Sequence, residues 1–226
     1  MTFQFQTPIF LVGEGELPKA QFDLLYSSKH PVIAADGGAN HLRQFDIIPH
    51  CVIGDMDSLQ DRAYFEAHST VLHLEDQDST DLEKCLNEVE APLFLALGFI
   101  GKRFDHTLEI LHILQKYTHK NIVFFSNEDV IVRLPAKCTF ELPKGTRLSL
   151  YPLKETSVLK SEGLKYPLNG LVMKQGALIG TSNEVHKAPV RIEQEDESLI
   201  GIFPMAHSLT VLTSLFTHHA HGLIPS

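Results

Sequence analysis

The chain has 226 residues, of which 43% are hydrophobic and 21% charged, with a formal net charge of −9. That length allows one large domain or two small ones, and the hydrophobic share is enough for a sizeable core. The acidic balance opposes non-specific nucleic-acid binding, which relies on Lys and Arg to neutralise phosphates, and no apolar run reaches the ~20 residues that span a bilayer.

The first half alternates two kinds of segment. Short β-prone runs recur at Ile9–Val12, Val32–Ala35, Cys51–Ile53, Thr70–Leu74, Leu93–Leu97 and Ile122–Phe125. Between them, helical character is expected over Leu17–Lys29, Asn40–Phe45, Leu59–His68, Thr80–Val89 and Arg103–Tyr117. In the last, Phe104, Leu108, Leu111 and Leu114 repeat at helical spacing. Apolar strands alternating with helices predict an α/β fold, a mostly parallel sheet with helices on both faces. The loops leaving the carboxyl ends of such strands form the ligand crevice.

From about Val130 the texture changes. Val130–Leu134, Thr139–Leu142, Arg147–Tyr151, Val190–Gln194 and Leu199–Phe203 are short, β-prone and punctuated by Pro and Gly. The pattern predicts a smaller all-β sandwich without helices, closing on a strand near Leu209–Leu212. His218, His219 and His221 then read as a solvated tail. Met1 to Gln6 shows no basic stretch leading into an apolar one, so no secretory signal is expected. Cys51, Cys85 and Cys138 are odd in number and form no CxxC pair, which fits reduced core thiols in the cytoplasm.

Four polar clusters fall at predicted strand ends. Ala35-Asp36-Gly37-Gly38-Ala39-Asn40 lets the backbone approach a ligand closely and start a helix whose free N–H groups face an anion; it also reads as a tight turn with Asn40 as N-cap. Gly54-Asp55-Met56-Asp57-Ser58 offers two carboxylates to one hard cation, or else Asp57 or Ser58 caps a helix starting near Leu59. In Asp76-Gln77-Asp78-Ser79-Thr80-Asp81, Thr80 and Glu83 fit a capping box, yet three carboxylates in six residues exceed what a cap needs. Gly98-Phe99-Ile100-Gly101-Lys102-Arg103-Phe104-Asp105-His106 places an arginine suited to bidentate phosphate contacts before Asp105, which also suits the positive end of a helix; His106 reads as structural.

Jointly the clusters put Asp55, Asp57, Asp76, Asp78, Asp81 and Asp105 on one sheet edge. Such a gathering calls for cations, and Mg²⁺ with a nucleotide polyphosphate is the simplest answer. GxxxxGK[ST], a spaced GxGxxG and a His/Cys zinc cluster are all missing from the sequence.

With ADGGAN, GDMDS, DQDSTD and GKRFDH in this order, followed by GTSNE at Gly180–Glu184, the chain resembles the thiamin pyrophosphokinase family from about Ala35 to Glu184. The resemblance implies a catalytic α/β domain over residues 1–129 and a β-sandwich over 130–226 that contributes to thiamin binding and dimerisation. It implies homodimers with active sites at the subunit interface, which transfer pyrophosphate from ATP to the hydroxyl of thiamin and release AMP and thiamin diphosphate. Carried over by motif, Asp55 and Asp57 hold Mg²⁺, while Asp81 joins them or orients the nucleophile. Arg103 and Asp105 engage the triphosphate and metal. Asp36, Gly37, Gly38, Asn40, Ser58, Thr80 and Lys102 line the ATP site, and Gln77, Ser182 and Asn183 contact thiamin, the second-domain residues coming from the partner subunit.

Two departures stand out. Lys102 occupies a position where a second glycine is common in the family, and the chain has no Trp, which some relatives stack on thiamin. In-line attack at the β-phosphorus needs positioning and charge neutralisation, with a carboxylate such as Asp81 to accept the hydroxyl proton. The competing readings are a nucleotide-sugar transferase built on the Asp55/Asp57 pair and a non-catalytic thiamin or nucleotide sensor.

Overall fold

The computed structural model describes residues 2–217, so the tail histidines His218, His219 and His221 lie outside the described residues. The chain divides into two compact units, one ending at Asn127 and the next beginning at Glu128.

The first unit contains β1 (Phe3–Gln4), β2 (Ile9–Val12), α1 (Lys19–Leu25), β3 (Val32–Ala35), α2 (Gly38–Gln44), β4 (Cys51–Gly54) and α3 (Arg62–His68). It continues through β5 (Thr70–His73), α4 (Asp81–Glu88), β6 (Val89–Glu90), β7 (Phe94–Leu97), α5 (Phe104–Lys116) and β8 (Ile122–Phe125). Six strands run parallel in the order β8-β7-β2-β3-β4-β5. All but the edge strand β5 are buried at every position. Continuous apolar runs form such strands because helices cover the sheet, so neither face needs polar residues. Strand order reverses at β2, which lies between β3 and β7, and a crevice opens at the carboxyl ends of strands flanking such a reversal.

One expectation about α5 changes. Phe104 and Leu108 are exposed, and the buried stripe is Ile110, Ile113 and Leu114. The helical period holds but the buried face is turned: Leu114, the end of the expected stripe, is buried, while its start is exposed.

The second unit contains β9 (Asp129–Arg133), β10 (Lys137–Phe140), β11 (Arg147–Pro152), β12 (Thr156–Glu162), β13 (Val172–Met173), β14 (Gly180–Glu184), β15 (Val190–Gln194) and β16 (Leu199–Pro204). They form antiparallel arrays in the orders β14-β11-β16-β9 and β10-β15-β12-β13. Phe140 and Phe203, one from each array, meet with ring centroids 4.9 Å apart, as facing sheets of a sandwich do. Buried Gln194 links the β9–β10 connection to β16: its amide nitrogen donates to the Leu134 carbonyl at 2.9 Å, and its oxygen accepts the Leu199 amide at 2.9 Å.

The unit is not all-β. The expected strand at Leu209–Leu212 is part of a helix, α6 (Ser208–Leu215), entered from a 3₁₀ turn at Met205–His207. Ser208, Val211 and Leu212 are its buried residues. Their i, i+3, i+4 spacing is the helical period, which the β-prone Thr and Val of this segment obscure.

Candidate active site

Four loops meet at the carboxyl ends of β2, β3, β4 and β7. At the end of β3 the chain turns through Asp36, at φ 40°, into α2. Gly38 is required there, because a Cβ at this position would fall 2.0 Å from the Val12 carbonyl oxygen. Asn40 is not the cap. Inside the helix it binds the next loop, donating from Nδ2 to the Ser58 carbonyl at 2.9 Å and accepting the Gln60 amide at 3.0 Å. The helix after that loop begins only at Arg62, so neither Asp57 nor Ser58 caps it.

Asp36 is 2% exposed. Its Oδ2 accepts the Ser58 amide at 3.0 Å, while Oδ1 is buried with no hydrogen-bond partner. Carboxylate oxygens of Asp36, Asp55 and Asp57 lie within 4.8 Å of one another. Burial, with the Asp81 and Asp57 charges nearby, pushes the Asp36 carboxyl up to about 6 despite the Ser58 amide. An orphaned buried oxygen beside two further carboxylates is a poor arrangement for a bare protein and a good one for a hard divalent cation.

Asp81 stands next to this group. A side chain at Gly54 would fall 2.7 Å from the Asp36 Cβ and 3.0 Å from Asp81 Oδ1. Lys84, one helical turn after Asp81, places Nζ 3.2 Å from Asp81 Oδ1 and 3.7 Å from Asp55 Oδ2, with its side chain 4% exposed. Burial raises the Asp81 carboxyl even so. Burial acts in the same sense on Asp55, but the Asp57 amide and Lys84 outweigh it and hold that carboxyl below its usual value. The capping box forms: Thr80 Oγ1 accepts the Glu83 amide and Glu83 reaches back to the Thr80 amide.

The other acidic residues are engaged elsewhere. Asp76 accepts the Asp78 amide at 3.0 Å and the Ser79 hydroxyl, closing its own turn. Asp105 forms a bidentate, exposed pair with Arg103 at 3.1 and 2.6 Å. Asp76, Asp78 and Asp105 are exposed and stay outside the three-carboxylate group, whereas Asp81 adjoins it without being one of the three. Gln77 is exposed, its side chain 3.3 Å from the Glu75 carbonyl oxygen.

A cavity of about 320 Å³ is lined by the loops after β2, β3 and β7, by the start of α4 and by α5, with Glu14, Asp36, Thr80, Asp81, Arg103 and Glu109 in its wall and the β4 loop that carries Asp55 and Asp57 outside it. Lys102 takes φ 54°, which explains why a glycine suits this position, and its Nζ reaches the Glu14 carboxylate at 3.5 Å. Met56 at φ 65°, in the loop after β4, and Ser182 at φ 57°, within β14, are further left-handed residues inside the motifs. Lys84, Glu14 and Glu109 escaped the sequence reading. Glu14 carried a usable signal, a Gly-x-Gly directly after β2; Lys84 offered only its one-turn spacing from Asp81.

In the second unit Ser182 is exposed, and its amide donates to Ser149 Oγ at 3.0 Å. Asn183 is 3% exposed and internally engaged. Its Oδ1 accepts the Tyr166 and Glu184 amides at 3.1 and 2.8 Å, and its Nδ2 donates to the Tyr166 carbonyl at 2.8 Å. Asn183 thus holds the backbone of Tyr166, a residue 57% exposed.

Comparison with known proteins gives concordant matches. Residues 22–125 match the family described as thiamin pyrophosphokinase, catalytic domain, and residues 136–200 match thiamin pyrophosphokinase, vitamin B1 binding domain. Thiamine pyrophosphokinase 1 of Oryza sativa subsp. japonica is 30% identical over 210 residues, covering 77% of this chain and 79% of that protein. Thiamin pyrophosphokinase 1 of Caenorhabditis elegans is 28% identical over 214 residues, covering 86% and 87%. Among solved structures, thiamine pyrophosphokinase from Bacillus subtilis superposes with a TM-score of 0.74 at 25% identity, covering 88% of this chain and 99% of that one. Thiamin pyrophosphokinase from Candida albicans gives a TM-score of 0.74 at 19% identity, covering 90% and 93%.

Proposed function

The chain belongs to the thiamin pyrophosphokinase family of enzymes, and from that premise we propose that it transfers pyrophosphate from ATP to the hydroxyl of thiamin, releasing AMP and thiamin diphosphate by direct in-line attack. The observation that carries the reading is the gathering of Asp36, Asp55 and Asp57 carboxylate oxygens within 4.8 Å of one another at the end of the parallel sheet, with Asp36 buried and its Oδ1 unpartnered. These groups suit Mg²⁺ in number and chemistry, and Asp36 joins Asp55 and Asp57 as a ligand rather than only lining the ATP site. The cation would neutralise phosphate charge as the α,β bridge breaks.

The protein's own groups do the rest. Lys102 and Arg103 lead into α5 and are exposed at the pocket. Arg103 exchanges its Asp105 carboxylate for phosphate oxygens, to which its planar fork is equally suited. Free N–H groups at the Gly37-Gly38 turn face the same anion. Asp81 takes the thiamin hydroxyl proton: burial raises its carboxyl, making it a better base than a surface aspartate. Lys84, 3.2 Å away, acts against that burial and favours the charged carboxylate.

Tyr166 offers thiamin an aromatic face in a chain without Trp, with Asn183 acting through it and Ser182 beside it. Exposed Leu159, Leu171, Val172, Leu178 and Ile179 cluster around β12 and the edge strand β13, and support pairing of two copies through the second unit. The free thiols Cys51, Cys85 and Cys138 suit a cytoplasmic setting. Among the described residues no helix is long and apolar enough to cross a membrane.

The test is incubation with ATP, Mg²⁺ and thiamin, with products identified by mass. AMP and thiamin diphosphate form together and only when all three are present; Asp55→Asn and Asp57→Asn lose turnover by more than ~10²-fold while keeping the wild-type circular dichroism. AMP release without thiamin, or a fully active Asp55→Asn/Asp57→Asn double variant, sinks the reading.

A further inference from the structure

One carboxylate in the pocket wall has no part in this chemistry. Glu109 lies on α5, lines the cavity with Thr80, Asp81 and His106, and accepts a hydrogen bond from the Thr80 hydroxyl. Burial raises its carboxyl above the ordinary value. The same hydroxyl accepts the Glu83 amide at 3.3 Å to cap α4. A hydroxyl has one proton to give, so donating it to Glu109 while receiving the amide fixes a single Thr80 rotamer. On the other side of the cap, Glu83 accepts Lys116 Nζ at 2.5 Å, with His112 Nε2 at 3.7 Å. Helix α5 therefore grips the first turn of α4 twice, through Glu109–Thr80 and through Lys116–Glu83.

That first turn carries Asp81 and Lys84, the two residues that abut the Asp36–Asp55–Asp57 group. We propose that Glu109 is a positioning residue: by fixing the Thr80 hydroxyl it holds Asp81 and Lys84 in register with the three carboxylates and so sets how tightly they take a divalent cation. The inference rests on the reading of that group as a cation site. A glutamate that merely braced two helices would change stability alone.

The test uses Mn²⁺ as probe on the metal-free full chain, following the electron paramagnetic resonance signal of free Mn²⁺, with no turnover required. Glu109→Ala weakens Mn²⁺ affinity by about three- to tenfold, the range for one lost hydrogen bond. Glu109→Gln, whose amide oxygen still accepts from Thr80, stays within about twofold of wild type. In a Thr80→Val background, Glu109→Ala adds no further loss, because the link is already gone. Unchanged affinity in Glu109→Ala, or losses that add in the double variant, overturns the proposal, as does a lower melting temperature with affinity intact. A wild-type chain that binds no Mn²⁺ removes both this inference and the cation reading; binding that ignores Glu109 removes this inference only.

Discussion

Replacing Asp36 with asparagine separates what the site does for function from what it does to stability. The folded protein holds this carboxyl at about 6 against an ordinary 3.8, mainly through burial. At ~1.4 kcal/mol for each tenfold change in acidity, this withholds up to about 3 kcal/mol from folding once both states are ionised. The sign follows from the direction. Below 3.8 the group is neutral in the folded and unfolded chains and the penalty vanishes; it grows through the interval up to about 6 and is complete near neutrality. An asparagine side chain here would keep an oxygen for the Ser58 amide and remove the charge. Asp36→Asn is therefore more stable than wild type at pH 7.5, its first thermal transition rising on the order of 5–10 °C, with the gap closing towards pH 4. Mg²⁺ reverses the order: it stabilises wild type and leaves the variant almost unmoved, because one of the three carboxylates that invite the ion is gone. Thermal scans from pH 4 to 8, with and without Mg²⁺, read all of this. A variant less stable than wild type at pH 7.5, or one stabilised equally by Mg²⁺, refutes the argument.

Two other substitutions probe separate links. Lys84→Met leaves Asp55 and Asp81 without their buried counter-ion and is expected to destabilise the metal-free protein by about 3 kcal/mol in urea titrations, with part recovered on adding Mg²⁺; a loss below about 1 kcal/mol would show that Lys84 compensates nothing. Tyr166→Ala raises KM for thiamin by about two- to tenfold with kcat nearly unchanged, while Tyr166→Phe retains wild-type values, as for an aromatic contact; equal KM for all three proteins would remove Tyr166 from the acceptor site.

The parallel strands were readable because burial on both faces writes itself as an uninterrupted apolar run, as at Ile9–Val12 and Val32–Ala35. The motif loops were readable because glycines beside carboxylates at strand ends serve few purposes besides close approach to a charged ligand. Helix α6 was not, since Leu209 and Val211 alternate with Ser208 and Thr210 as a strand would, and β-prone Thr and Val fill the segment. Strand β14 was hidden inside a polar motif, Gly180–Glu184, whose pairing partners in β11 lie thirty or more residues away in sequence. Lys84 and Glu109 look like ordinary polar positions on amphipathic helices; only the meeting of α4 with the neighbouring loops and α5 makes one buried and turns the other into a pocket wall. Asn183 shows the reverse case, a motif residue whose side chain serves its neighbour Tyr166.

Among the described residues, Asp36, Met56, Lys102 and Ser182 each bear a side chain in a backbone region where glycine or asparagine sits more easily. Selection for heat resistance alone would relax these positions early, through residues that take a left-handed backbone without strain. The survivors would be hardier proteins with blunted catalysis, so thermal tolerance and turnover in this enzyme are set by some of the same few dihedral angles and can be expected to trade against each other.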